Sequence, residues 1–294
     1  MTLPHPLRRA LLAGALASLA ACAVQRPFNP LQESPAMTDR KTQVRALLKS
    51  IETGDAAPVA VIDPHRYTQH NLAIADGLAG FGAALAALPP GSARVNTVRV
   101  FQDGDYVFAH TDYDFFGPKI GFDIFRFDAA SGRIVEHWDN LQPKPAQPNP
   151  SGRRMTDGPS QAADLAHTAA NKALVRAFVD DILVNGRMER LASYFDGDRY
   201  LQHNPQIADG LSGLGAALKA MAAAGVTMRY DRIHAVLGEG NFVLVVSEGQ
   251  FGGQPTSFYD LFRVEHGQIA EHWDVIEPIA PRAEWKHGNG KFDF

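Results

Sequence analysis

Two hydrophobic rhythms alternate along the chain. Val44, Leu47, Leu48 and Ile51 recur at three- and four-residue spacing, which predicts an amphipathic helix. Leu174, Val175, Phe178, Ile182 and Leu183 repeat that rhythm within 168–184. Shorter helices are predicted over 78–88 and 211–223, each after an Asp-Gly pair, Asp76-Gly77 and Asp209-Gly210, whose aspartate suits a helix N-cap. The period then changes to two. Segments 92–102, 106–115, 121–128 and 133–141 are rich in β-branched and aromatic residues and are divided by Asp103-Gly104-Asp105 and Ser131-Gly132, which predicts an antiparallel meander. The second half repeats this around Gly238-Glu239-Gly240-Asn241 and His266-Gly267. Helices followed by a curved antiparallel sheet make an α+β layer with a pocket between them.

The halves match in detail. Tyr67-Thr68-Gln69-His70-Asn71 and Ile74-Ala75-Asp76-Gly77-Leu78 return 133 residues later as Tyr200-Leu201-Gln202-His203-Asn204 and Ile207-Ala208-Asp209-Gly210-Leu211. Glu136-His137-Trp138-Asp139 returns as Glu271-His272-Trp273-Asp274. Two tandem domains over 40–145 and 168–282 follow. The 146–167 segment between them is dense in proline and glycine and reads as a flexible linker, and 283–294 reads as a tail without a pattern.

The amino terminus carries a different signal. Arg8 and Arg9 precede the apolar run Ala10 to Ala21, too short to span a bilayer. The run ends in Leu19-Ala20-Ala21-Cys22, which resembles the lipobox of bacterial lipoproteins, and Cys22 is the only cysteine of the chain. That resemblance implies a signal peptide over 1–21, lipidation of Cys22 and a tether over 22–39. The expected place is the cell envelope, facing the periplasm, and the outer membrane before the inner because Ala23 is not acidic. One cysteine excludes an intramolecular disulfide.

Composition changes the picture little. With 45% hydrophobic and 20% charged residues and a net charge of -4, the chain reads as globular, and no basic stripe suits nucleic acid. Phosphate-binding glycine loops, a Gly-x-Ser-x-Gly elbow and a catalytic cysteine are absent, which disfavours nucleotide-dependent and covalent serine chemistry.

The run Tyr-x-Gln-His-Asn, then Ala-Asp-Gly, then a closing Glu-His-Trp-Asp strand resembles the SnoaL-like branch of the nuclear transport factor 2-like superfamily, over both repeats. The resemblance implies two cone-shaped domains with conical pockets, small-molecule ligands, and aldol chemistry without a cofactor. It places the acid/base carboxylate at Asp139 and Asp274 and puts His70 and His203 at the cavity wall, as catalytic groups that would orient a carbonyl oxygen. It also implies that the two copies pair as an intramolecular pseudo-dimer.

Aldol, isomerisation or dehydration chemistry needs a base beside a carbonyl and a donor for the oxygen that gains charge. Strand alternation sets His137 with Asp139, and His272 with Asp274, on one face, and turns Trp138 and Trp273 to the other. Tyr67, Gln69, Tyr200 and Gln202 are candidate substrate-binding donors. His110 is a further candidate in the first copy, because Val246 takes its place in the second. His70, His137 and Asp139, or His203, His272 and Asp274, also match a metal-ligand count, but no local metal motif is present and no metal is expected. A small-ligand binder without chemistry, or an interaction lipoprotein, remains the competing reading.

Overall fold

The computed structural model describes residues 39–294, so the signal segment, Cys22 and all of the 22–39 tether but its last residue lie outside the described residues. Helix α1 (Arg40–Thr53) starts where the Asp39 carboxylate accepts from Thr42 N and ends at Gly54, whose φ of 71° closes the last turn. It packs Val44, Leu47 and Leu48 inward. There follow strand β1 (Thr68–Gln69), helix α2 (Gly77–Ala86) and the meander β2 (Arg94–Asp103), β3 (Tyr106–Asp114), β4 (Pro118–Phe127) and β5 (Ile134–Pro143). The second lobe repeats the order: α3 (Thr168–Phe178), β6 (Leu201–Gln202), α4 (Gly210–Ala223), β7 (Met228–Glu239), β8 (Phe242–Phe251), β9 (Gln254–Glu265) and β10 (Gln268–Pro278). The helix expected to run to Val184 changes to a π-helical turn over Val179–Val184.

Each sheet has five strands, in the orders β1-β5-β4-β3-β2 and β6-β10-β9-β8-β7. The meander is antiparallel as expected, and the two-residue β1 and β6 add a parallel edge that sets Gln69 beside His137 and Gln202 beside His272. The architecture is therefore α+β, in two copies. Asp76 and Asp209 stand at the N-caps but make no capping bond; their carboxylates accept from Gln69 N and Gln202 N instead and so hold the short edge strands.

Both faces of each sheet are buried. One face packs under its own helices, through Val107, Phe125 and Ile134 in lobe 1 and Val243, Phe258 and Phe262 in lobe 2. The other faces of the two sheets meet in a shared core that contains Phe108, Phe122 and Trp138 of lobe 1 and Phe242, Leu244 and Trp273 of lobe 2. Period-two alternation places these residues opposite the helix-facing set. Reciprocal ion pairs frame the core: Lys41 with Glu239, and Lys172 with Asp103. The two copies thus pair within one chain.

The segment between the lobes is not a free linker, and the tail is not patternless. Residues after each lobe form an arm that clasps the other lobe. Arg154 O accepts from His203 Nδ1 (2.8 Å) and Asp157 O from Trp273 Nε1 (2.9 Å). In the same way Gly290 O accepts from His70 Nδ1 (2.9 Å) and Asp293 O from Trp138 Nε1 (3.0 Å). Arg153 pairs with Asp209 as Asn289 donates to Asp76. Gly and Pro in 146–167 serve a specific path across the partner lobe, so its composition signals turns rather than freedom. Among the described residues no helix is long and apolar enough to cross a membrane.

Candidate active site

Each lobe encloses an open chamber between its helices and the concave face of its sheet. The chambers measure about 360 Å³ in lobe 1 and about 560 Å³ in lobe 2, a size suited to small organic ligands. Leu47, Ile51, Phe81 and Leu85 line the first, and Leu183, Leu214, Met221 and Phe251 the second.

Polar groups gather at the sheet end of each apolar chamber. Asp123 and Asp139 face one another across β4 and β5, and Asp260 and Asp274 across β9 and β10. Like charges directly opposite repel, and a histidine sits beside each pair. His137 Nε2 lies 3.3 Å from Asp123 Oδ1, and His272 Nε2 lies 3.0 Å from Asp260 Oδ1. The other ring nitrogens donate to Gln69 Oε1 (3.0 Å) and Gln202 Oε1 (2.9 Å). Those amide oxygens are fixed by backbone donors, Asn71 N in lobe 1 and His203 N and Asn204 N in lobe 2. Nδ1 therefore carries a hydrogen, and each Nε2 and its carboxylate share one further proton.

The remaining carboxylate oxygens are divided. Asp139 Oδ2 and Asp274 Oδ2 accept from Asn71 and Asn204 (2.6 and 2.7 Å), whereas the two Oδ1 atoms are buried and accept no hydrogen bond, that of Asp139 lying 3.9 Å from the Lys291 ammonium. Burial, and then the neighbouring charge of Asp260, help raise the pKa of Asp274. Burial also raises that of Asp123. For His272 burial opposes the charged form, but the hydrogen bond with Asp260 and the charges of Asp274 and Asp260 outweigh it, and its pKa rises. Burial above all pushes the phenols of Tyr67, Tyr113, Tyr200 and Tyr230 upward, so each remains a neutral O–H.

Of the residues singled out from sequence, Tyr67, Gln69, His137 and Asp139 line the first chamber, and Tyr200, Gln202, His272 and Asp274 the second. His70 and His203, expected at the cavity wall, lie on the opposite face. They stack on Trp138 and Trp273 with ring centroids 4.7 Å apart, and both ring nitrogens are taken up, by the arms and by Glu136 or Glu271. They are clasp residues, and the ligand sets that included them do not assemble. His110, expected to meet substrate, also faces the shared core: it bonds Arg99 (3.0 Å) and stacks on Phe122. Arg99 in turn holds Pro159 O and Asp157 O of the arm.

Sequence reasoning missed Asp123, Asp260, Asn71, Asn204, Tyr113 and Tyr230. A lone aspartate within Phe122-Asp123-Ile124 and again within Tyr259-Asp260-Leu261 is the signal that finds the second carboxylate. The tyrosines leave no such trace, because Tyr113 O–H reaches Asp123 from β3 (2.6 Å) whereas Tyr230 O–H reaches Asp260 from β7 (3.2 Å). Tyr113 pairs with Val95, and Tyr230 with Gly249, so large and small residues have exchanged strands. A Cβ on Gly249 would stand 1.9 Å from Arg229 O, which bars a side chain there.

Residues 175–272 match the SnoaL-like domain family. A comparison with curated proteins returns no match. Similar solved structures include TsrD from Streptomyces laurentii, at 20% identity over 35% of this chain and 90% of that one, with a TM-score of 0.30. A nuclear transport factor 2-like protein from Burkholderia xenovorans LB400 is 19% identical over 37% and 91%, with a TM-score of 0.30. A LEH-like epoxide hydrolase from M. tuberculosis is 22% identical over 38% and 85%, with a TM-score of 0.29. Lobe 2 is thus SnoaL-like by sequence, and lobe 1 repeats its strand order.

Proposed function

We propose that each lobe binds a small, largely apolar carbonyl compound and performs acid/base chemistry on it, of the aldol, isomerisation or dehydration type. The supporting observation is one buried carboxylate oxygen without a hydrogen-bond partner in each chamber, on Asp139 and on Asp274, beside a histidine that shares a proton with a second carboxylate. That oxygen takes a proton from the carbon next to the carbonyl. The shared proton on His137 or His272 is then given to the carbonyl oxygen as charge develops there. Gln69 Nε2, also buried without a partner, adds a donor in lobe 1. Tyr113 and Tyr230 hold the second carboxylate of each lobe beside its histidine.

The test is deuterium uptake at the α-carbon of simple cyclic ketones in D2O, with the wild-type chain and the Asp139→Asn plus Asp274→Asn double variant. Enzyme-dependent uptake that falls about 100-fold or more in the variant is expected. Ketone binding with no uptake above buffer would leave a small-ligand binder in its place.

The reading includes an exported chain held to the envelope by lipid on Cys22, supported by the lipobox resemblance at Leu19-Ala20-Ala21-Cys22. Cys22→Ala should move the chain from the membrane fraction to the soluble one. An unchanged distribution would remove the anchor from the reading.

A further inference from the structure

We infer that the Asp-His-Asp clusters are also binding sites for a first-row divalent cation, one in each lobe. Among the described residues, Asp123, His137 and Asp139 each offer one ligand atom with all three within 4.8 Å, and Asp260, His272 and Asp274 do the same. The atoms that do not converge are already held. Tyr113 binds Asp123 Oδ2, Asn71 binds Asp139 Oδ2, and Gln69 accepts the Nδ1 hydrogen of His137. Lobe 2 does this with Asn204, Gln202 and Tyr230, whose O–H lies 3.2 Å from Asp260 Oδ2 and 3.4 Å from Oδ1. An imidazole that donates Nδ1–H to a fixed carbonyl oxygen directs the Nε2 lone pair at the metal, and hydrogen-bonded carboxylates keep their orientation.

The spacing fits as well. Metal bonds of about 2.0–2.2 Å set neighbouring ligand atoms about 3.0–3.4 Å apart, as His137 Nε2 and Asp123 Oδ1 (3.3 Å) and His272 Nε2 and Asp260 Oδ1 (3.0 Å) are, with the third oxygen of each set within 4.8 Å. Asp139 Oδ1 and Asp274 Oδ1 accept no hydrogen bond on residues 4% and 5% exposed, and an ion would satisfy them. One imidazole and two carboxylates suit manganese, iron or zinc ions better than magnesium or calcium, and the chamber leaves the remaining coordination positions open to water or ligand. The cation takes the place of the proton shared by the histidine and carboxylate. The inference concerns the same residues as the acid/base reading but does not need it to hold.

The sites are unequal. The Lys291 ammonium, on the arm that clasps lobe 1, lies 3.9 Å from Asp139 Oδ1 and pairs with Glu277. The equivalent arm place in lobe 2 is Met155, against Gln142. A fixed positive charge beside one ligand oxygen weakens cation binding in lobe 1, so lobe 2 is the tighter site.

The experiment is titration of the chelator-treated full chain with Zn²⁺ by calorimetry and with Mn²⁺ by electron paramagnetic resonance. Two ions per chain with unequal affinities are expected. Asp274→Asn should remove the tighter site, Asn204→Ala should weaken it roughly 10- to 100-fold, and Lys291→Met should tighten the weaker one toward the other. No binding by the wild-type chain, or binding that is unchanged in Asp274→Asn and Lys291→Met, would overturn the inference. Ketone exchange by the chelator-treated protein reads the acid/base proposal separately, so either can fail alone.

Discussion

Tyr113 and Tyr230 donate to equivalent carboxylates from non-equivalent strands. Each phenol is buried and satisfies an oxygen of an aspartate that lies directly across from a second aspartate. Removing one donor leaves that oxygen desolvated and unpaired. Tyr113→Phe and Tyr230→Phe should therefore each destabilise the chain by about 1–3 kcal/mol in urea unfolding. Unchanged midpoints in both would show that the phenols contribute nothing to holding the carboxylates.

The C-terminal arm is expected to hold lobe 1 more firmly than lobe 2, which it meets at Glu277, through Lys291, and at His234, through Phe292. Deleting residues 283–294 strips Trp138 and His70 of their carbonyl partners and removes the Phe294 ring stacked on Trp138. The loss should be on the order of 3 kcal/mol, at about 1 kcal/mol for each of several hydrogen bonds. Amide exchange should accelerate more in β1 and β5 than in β6 and β10. Equal acceleration in both lobes would contradict the clasp assignment.

Stability should depend on pH through the lobe 2 cluster. Asp274 has a folded pKa above 3.8 and His272 one above 6.5, so the folded chain binds protons at this site more tightly than the unfolded chain. The Asp274 contribution is complete below 3.8 and disappears as pH rises through its folded value; that of His272 is complete below 6.5 and is lost above it. Asp274→Asn removes the first dependence and weakens the second. The stability of the wild type relative to this variant should fall in urea titrations as pH rises above 3.8 and again above 6.5. A constant difference would mean that Asp274 titrates normally.

Phe116 combines 71% exposure with a φ of 49°, at the mouth of the lobe 1 chamber. A left-handed conformation costs a non-glycine residue about 1 kcal/mol, so Phe116→Gly should stabilise the fold by up to that amount. Loss of the ring from the mouth should at the same time weaken ketone binding in lobe 1. Destabilisation by the glycine would show that the ring packs more than its exposure implies.

The repeat made the architecture legible, because two copies of the same element order constrain each other. Alternation along the closing strand correctly joined His137 to Asp139 and separated Trp138. The same alternation along Tyr67-Thr68-Gln69-His70-Asn71 already divides His70 from Gln69, and the family resemblance overrode it. The arms escaped notice for another reason. Only Gly152 with Gly288 and Asp157 with Asp293 recur at their common spacing, and their bonds to the partner lobe run largely through backbone carbonyls, which carry no residue signature. Asp123 was hidden because an acid within an apolar strand gains its meaning from the residue across the sheet, Asp139.

The exchanged arms also decide what change the protein can tolerate. In a symmetric pair of separate chains, any substitution in an arm appears in both sites at once. Here each clasp is encoded separately, so a lysine can stand at 291 where a methionine stands at 155. Within one chain the two chambers can differ in charge while their shared core keeps them together.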